Sequence, residues 1–302
     1  MTLSSDLATV NRVTTSSEMS SGDRPLAVVT GASTGIGAAT ARELAGRGFH
    51  VLAGVRRERD GDALRGSGVE PVLLDITRPE QVAALVDRIG GRGLRALVNN
   101  AAVSVNAPVE ALPLDAWREL FEVNLFGHVA VTQAVLPALL RDGGGRVVNI
   151  SSVGGRVAMA TYGPYAGTKF ALEAVSDALR RELAPHGVRV VVVEPGGVRT
   201  RMGDRGIATT RRRAEGMSDE LRARYGPLVE AVTAHTAAHL ERGISPERAA
   251  SVVAKAVTAR KPRTRYAAGL DAAVLTRLAR VLPDRLLDRV AAASLRPYFP
   301  AT

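Results

Sequence analysis

The chain predicts an α/β fold: a doubly wound parallel sheet of about seven strands with helices on both faces. Two observations carry this. From Leu26 onward, short β-branched runs alternate with segments of helical period, and strand–helix alternation builds right-handed βαβ units. Several of those runs, such as Val190 to Val193, are apolar at every position. Strands covered on both faces read that way.

The strands are expected at Leu26–Thr30, Val51–Gly54, Pro71–Asp75, Arg95–Asn99, Arg146–Ile150, Val188–Glu194 and Arg265–Ala268. Segments of helical period lie between them at Ala38–Arg47, Pro79–Ile89, Trp117–Leu140 and Ala166–Ala184. Residues 201–243 break the alternation. A helix is expected there from Ser218, whose hydroxyl caps a first turn holding Asp219 and Glu220. An insertion after a late strand lies over the C-terminal edge of such a sheet, where ligands bind, so 201–243 is expected to form a lid. Ser245-Pro246-Glu247 then opens another helix with an N-cap, a proline at the first helical position and an early acid.

Composition narrows the class. Of 302 residues, 46% are apolar and 23% charged, which excludes a wholly disordered or fibrous chain. No run approaches the ~18 uninterrupted apolar residues of a spanning helix. With no cysteine there is no disulfide framework, thiolate metal site or thiol nucleophile, and the expected address is the cytoplasm. Residues 1–24, rich in Ser and Thr without an apolar stretch, read as a flexible leader and not a secretion signal. One catalytic domain is expected over 25–270, followed by a basic helical extension over 271–302.

Charge is unevenly placed. Residues 1–200 hold 20 Arg and 1 Lys against 20 acids, whereas 201–302 hold 17 Arg and 2 Lys against 10. The net charge of +10 therefore belongs almost wholly to the last third. Only Lys169, Lys255 and Lys261 are lysines.

Directly after the first strand stands Thr30-Gly31-Ala32-Ser33-Thr34-Gly35-Ile36-Gly37. Its glycines allow a tight turn and close approach to a pyrophosphate, and the helix beginning near Ile36 offers its amides and dipole to that anion. The spacing departs from the common Gly-x-Gly-x-x-Gly fingerprint, so an ordinary Gly-rich turn is the alternative.

The second segment is Ser151-Ser152 followed by Tyr165-Ala166-Gly167-Thr168-Lys169. A Tyr and a Lys four apart share one helix face. An ammonium there is expected to lower the phenol pKa and ready Tyr165 to move a proton. The alternative is a solvated surface pair, but with three lysines in the chain the chance of one falling there is about one in a hundred.

With these motifs in order, the sequence resembles the short-chain dehydrogenase/reductase superfamily over about residues 25 to 270. Besides the glycine turn and Tyr-x-x-x-Lys, the resemblance rests on Asp75-Ile76, Asn99-Asn100-Ala101, Asn124 within Val123-Asn124-Leu125-Phe126-Gly127, Ser152 thirteen residues before Tyr165, and Pro195-Gly196-Gly197-Val198-Arg199-Thr200. Ala102 stands where the family usually has a glycine. The tail from Arg263-Thr264-Arg265-Tyr266 to Leu282-Pro283 resembles the hydroxysteroid and retinol dehydrogenase branch.

The resemblance implies a Rossmann-type sheet and a catalytic set of Asn124, Ser152, Tyr165 and Lys169. Tyr165 would transfer a proton, Ser152 would hydrogen-bond the substrate oxygen, Lys169 would hold the nicotinamide ribose, and Asn124 would anchor a relay water. The cofactor would contact Gly31, Ser33, Thr34, Gly35, Ile36, Gly37, Arg56, Asp75, Ile76, Asn100, Ala101, Tyr165, Lys169, Pro195, Gly196, Val198 and Thr200. Family members are often dimers or tetramers through the helices carrying Asn124 and Tyr165, which leaves a homo-oligomer open.

The second strand ends Gly54-Val55-Arg56-Arg57, with no acid to accept from a ribose hydroxyl. Arg56 can pair with a 2′-phosphate through its planar fork, so NADP(H) is expected over NAD(H). His235 and His239 lie one turn apart without a third ligand, so no metal site is expected. Arg211-Arg212-Arg213 comes without a nucleic-acid-binding motif and reads as solvated, so no nucleic acid is expected. From Leu270 to Leu295 apolar residues recur among Arg277, Arg280, Arg285 and Arg289, split by Pro283. That stretch either packs on the core or makes a weak peripheral contact with anionic membrane.

The expected function is interconversion of a carbonyl and a secondary alcohol on an apolar small molecule. The alternative is a non-catalytic dinucleotide sensor or scaffold on the same fold.

Overall fold

The computed structural model describes residues 24–66 and 68–299; nearly all of the expected leader lies outside them. Seven strands form, several of them around continuous apolar runs: β1 (Leu26–Val29), β2 (His50–Val55), β3 (Val69–Leu73), β4 (Leu94–Asn99), β5 (Arg146–Ile150), β6 (Arg189–Pro195) and β7 (Arg265–Ala268). They pair in parallel in the order β3-β2-β1-β4-β5-β6-β7. The expected doubly wound, Rossmann-type sheet is the one observed.

Helices α1 (Gly35–Gly46), α2 (Glu58–Asp62), α3 (Pro79–Ile89), α4 (Leu114–Phe121), α5 (Gly127–Leu140), α6 (Gly163–Leu183), α7 (Arg201–Glu215), α8 (Asp219–Glu241), α9 (Pro246–Thr258), α10 (Leu270–Val281) and α11 (Asp284–Leu295) complete the chain. Because successive strand residues point to opposite faces, Ala27 and Val29 join α1 and α9 in one core. Leu26 and Val28 join α3, α5 and α6 in the other. Ser218 and Ser245 cap α8 and α9 as expected, accepting from the amides of Leu221 and Arg248 at 3.3 Å each. Pro283 separates α10 from α11.

Three expected elements differ. β3 lies two residues earlier than Pro71–Asp75. The Asp75 amide turns away to Gln81 Oε1 at 2.6 Å and its carboxylate accepts from Thr77, so the strand cannot run on. The helix expected at Trp117–Leu140 starts at Leu114 and is interrupted by a π-helical turn, Glu122–Phe126, centred on Asn124. Residues 201–215, read from sequence only as a break in the alternation, form a helix.

The run Leu114–Gly143 is long and apolar enough to cross a membrane, its most apolar 18 residues having a mean hydropathy of 1.5. Half of its most apolar window is buried, where α5 covers β4 and packs on α3. It is a core element of this fold.

Candidate active site

The loops at the carboxyl edge of the sheet surround a cleft of about 480 Å³, a volume suited to small-molecule and cofactor binding. Its first wall is backbone. Gly31 and Gly35 take φ of +63° and +60°, a region closed to most side chains. A Cβ on Gly31 would stand 2.6 Å from the Ala101 Cα. Thr30, fully buried, holds the turn to the end of β4: its Oγ1 accepts from the amides of Asn100 and Ala101 at 2.9 and 3.0 Å. Asn100 answers by donating from Nδ2 to the carbonyls of Thr30 and Gly31.

Thr34 begins α1 without a side-chain cap, so the first amides of that helix face the cleft unblocked. Ser33, Ile36, Asp75 and Ile76 line the same wall, and Gly37 lies behind it against Asn100. Arg56 and Arg57 separate in role. Arg57 pairs with Asp60 at 2.8 Å, while Arg56 is exposed, lines the cleft and has no ion-pair partner among the described residues.

Ser152, Tyr165 and Lys169 come together on the next wall with Pro195, Gly196, Val198 and Thr200. Ser152 caps the turn after β5, its Oγ accepting from the Gly154 amide at 3.0 Å. Helix α6 presents Tyr165 and, one turn on, Lys169. Lys169 is 1% exposed and donates to the Ile150 carbonyl at 2.9 Å, its Nζ 5.9 Å from the centre of the Tyr165 ring.

The expected lowering of the phenol pKa is not what this geometry produces. Burial pushes Tyr165 up to about 12, opposed by its hydrogen bond with Ser152 and reinforced by Tyr162. The desolvation cost of a phenolate outweighs the help a lysine can give at this separation. Burial also brings Lys169 down to about 8, with Glu173 opposing the shift.

Asn124 is fully buried behind the cleft wall. Its Oδ1 accepts from the Val103 amide, and its Nδ2 donates to the Val103 carbonyl and to Thr168 Oγ1, all at 2.9 to 3.1 Å. It staples the segment after β4 to α6. Ala102 lines the cleft in that segment. Its φ lies outside the left-handed region, which only Asp142 and Thr161 enter among the described non-glycine residues. The methyl group therefore brings no backbone strain. His128 donates to the Ala101 carbonyl at 2.6 Å, and burial together with the Lys169 charge lowers its pKa to about 3, so it stays neutral.

Sequence reasoning missed the remaining wall. Met202, Arg205 and Thr209 from α7, Leu240 from α8 and Ser104 after β4 all line the cleft. They sit in no motif, and the only signal was that 201–243 breaks the strand–helix rhythm. Asp271 was missed too: its Oδ2 accepts from the Gly197 amide at 2.7 Å and pairs with His239 Nε2 at 3.1 Å. His235 stacks beside His239 and meets Tyr298 edge-on. No group of three metal-ligating residues occurs among the described residues.

Comparison with known proteins agrees with this geometry. Residues 25–210 match the short chain dehydrogenase family. Mouse retinol dehydrogenase 5 is 40% identical over 87% of this chain and 86% of its own length. A short chain dehydrogenase from Burkholderia cenocepacia, solved in complex with NADP, superposes with a TM-score of 0.69 at 29% identity, covering 90% of this chain and 98% of that one. One from Burkholderia phymatum in complex with NAD gives 0.70 at 25% identity, covering 86% and 94%. The chain belongs to the short-chain dehydrogenase/reductase family, in its retinol and hydroxysteroid dehydrogenase-like branch, and is an NAD(P)-dependent oxidoreductase acting on CH–OH and C=O groups.

Proposed function

We propose that this chain is an NADP(H)-preferring enzyme that interconverts a carbonyl and a secondary alcohol on an apolar small molecule. The observation that carries the reading is the convergence of Ser152, Tyr165 and Lys169 on a cleft whose opposite wall is the glycine turn. That wall fits a dinucleotide: two left-handed glycines and the uncapped start of α1 leave amides for a pyrophosphate. The nicotinamide, when bound, supplies or accepts the hydride.

The protein's own groups handle the proton. A phenol held near 12 is fully protonated at neutral pH and so suits donation to the carbonyl oxygen in reduction. Ser152 holds that oxygen by hydrogen bond and stabilises the charge building on it. Lys169 holds the ribose hydroxyls and lends its charge to Tyr165. Asn124 serves as the anchor of the relay water through the main chain of its π turn, because its amide is committed to Val103 and Thr168.

Arg56 favours the 2′-phosphate of NADP(H): it reaches the cleft uncommitted, and no acid stands beside it at the end of β2. Val103 and Val105 after β4, with Met202 and Leu240, give the cleft apolar surface beside Arg205 and Thr209, which supports an apolar substrate under a lid of 201–243. The outer faces of α10 and α11 expose Leu270, Val274, Val281 and Val290 among arginines, a composition suited to weak contact with an anionic membrane where such substrates reside.

A panel of ketosteroids, retinoids and medium-chain ketones, followed by NADPH absorbance, tests the reading. Tyr165→Phe is expected to lower kcat by about 10²- to 10⁴-fold with NADPH affinity unchanged. Undiminished turnover in that variant overturns the assignment. Arg56→Ala is expected to erode the NADPH-over-NADH ratio by about tenfold or more; an unchanged ratio removes the cofactor preference.

A further inference from the structure

Behind Lys169 lies a group of buried charges that the proposed chemistry does not use. Glu173 stands one turn further along α6, and Glu194 is the last residue of β6 before Pro195. Both carboxylates are almost completely buried, with 5% and 3% exposure. Two like charges so far from water need cations or protons, and two arginines supply the cations. Arg265 of β7 donates from Nε to Glu173 Oε2 at 2.9 Å, and its Nη2 also reaches Glu173 Oε2 and Asp177 Oδ1, at 2.9 and 3.0 Å. Its Nε lies 3.6 Å from Glu194. Arg156, after the Ser152 turn, approaches Glu194 and Glu173 at 3.7 and 4.0 Å.

This group joins the segments that carry the reacting side chains. Arg156 belongs to the turn capped by Ser152, Glu173 to the Tyr165–Lys169 helix, and Glu194 to the strand leading into Pro195-Gly196. Gly155 lets the turn and the helix approach: a Cβ there would meet Ser151 Oγ at 2.6 Å, with Glu173 Cγ and the Lys169 carbonyl at 3.2 Å.

We propose that Glu173, held by Arg265, is a positioning residue that supplies the buried counter-charge to Lys169 one helical turn away. The inference rests on the oxidoreductase reading only for its consequence in turnover. Charge supports it from each side. The groups facing Lys169 are Tyr165 and Glu173 on its own helix and His128 on α5, and His128 is neutral. Glu173 is therefore the negative charge acting against the desolvation of the ammonium. Glu173 in turn faces Arg156, Arg265 and Glu194. Glu194 also feels Arg280 of α10, and burial with Glu173 nearby pushes its own carboxyl up. Arg265 grips Glu173 more closely than it grips Glu194.

The scarcity of lysine makes this measurable. With only three in the chain, ¹³C-labelled lysine gives a separable signal for Lys169 in a pH titration of the full-length protein. The wild-type signal is expected to titrate near 8. In Glu173→Gln it should titrate about one pH unit lower, the size of effect a nearby opposite charge has, and Glu173→Asp should restore it. The alkaline limb of kcat for carbonyl reduction should move with the signal, while thermal stability reports folding separately. If Glu173→Gln does not fold, the more exposed Arg156→Gln decides: removing a cation should move Lys169 upward. An unmoved lysine signal in a folded variant overturns the inference. A signal that moves in a protein that reduces no carbonyl overturns the proposed function instead and leaves the inference standing.

Discussion

Two walls of the cleft are built on different principles. The wall formed by the ends of β1 and β4 is made of backbone: Gly31, Gly35, the amides that Thr30 holds, and the bare start of α1. The wall formed by α7 and α8 is made of side chains: Met202, Arg205, Thr209 and Leu240. A backbone wall recognises what every dinucleotide has in common and tolerates little change. A side-chain wall can be rewritten one residue at a time without touching the fold. The difference explains why one half of the cleft reads as a family and the other half does not.

The sharpest way to break the contrast is to place a single methyl group on the backbone wall. In Gly37→Ala the new Cβ would stand 2.4 Å from both the Gly31 carbonyl oxygen and Asn100 Nδ2. Neither neighbour can yield: the carbonyl belongs to the turn, and the Asn100 amide is what braces it. Overpacking of this kind costs about 1–3 kcal/mol, and it deforms the surface proposed to hold the pyrophosphate. Expected are a lower Tm and NADPH affinity weakened by about a hundredfold, read by fluorescence titration. Wild-type affinity in the variant would mean that the turn does not hold the cofactor.

The α7–α8 wall, proposed to meet the substrate, should respond with a smaller and differently shaped effect. Leu240→Ala removes an apolar surface of the cleft that also touches Gly203 of α7. Loss of methylene contacts in an apolar pocket is worth about 1–3 kcal/mol of discrimination. KM for the best ketone of the panel should therefore rise roughly 5- to 100-fold, with NADPH affinity constant. If cofactor affinity falls as much as substrate affinity, the two walls are not separable and the comparison fails.

This division also sets how much was legible in the chain itself. Backbone chemistry leaves a local signature, since a left-handed turn calls for glycine and a strand covered on both faces is apolar throughout. The strands around Leu26–Val29 and Val190–Val193 and the Thr30–Gly37 turn could be placed that way, whereas β3, which holds Glu70 and Pro71, was expected two residues too late. Tyr165 and Lys169 were legible because one helical turn fixes their relation. Their electrostatics were not, because the burial that raises Tyr165 to about 12 comes from Gly154 and other segments distant in sequence. Thr30 and Asn124 show the same limit. Both stand inside recognised motifs, but their bonds to β4 and to Thr168 exist only once α6 and the sheet have docked. The lining face of α7 was invisible because nothing local selects which side of that helix meets the cleft.

Asp271 ties α8 to the Gly196-Gly197 turn after β6, and it offers the smallest and most specific test. Burial alone would raise its carboxyl, but the His239 hydrogen bond and the amides of Gly197 and Ala272 prevail and hold it near 2, below its ordinary 3.8. A carboxyl depressed in the folded state stabilises the protein at pH values above its ordinary range. That contribution is lost as pH falls from about 4 toward 2. The side chain is 30% exposed, so solvent screening keeps the effect within about 1 kcal/mol, or a few degrees of Tm at this chain length. Asp271→Asn should melt lower than wild type at pH 7 and close to it at pH 3, because wild type has by then begun to lose the same bond. A Tm difference that does not shrink on acidification would mean that the link between α8 and the Gly196-Gly197 turn is one of shape and not of charge.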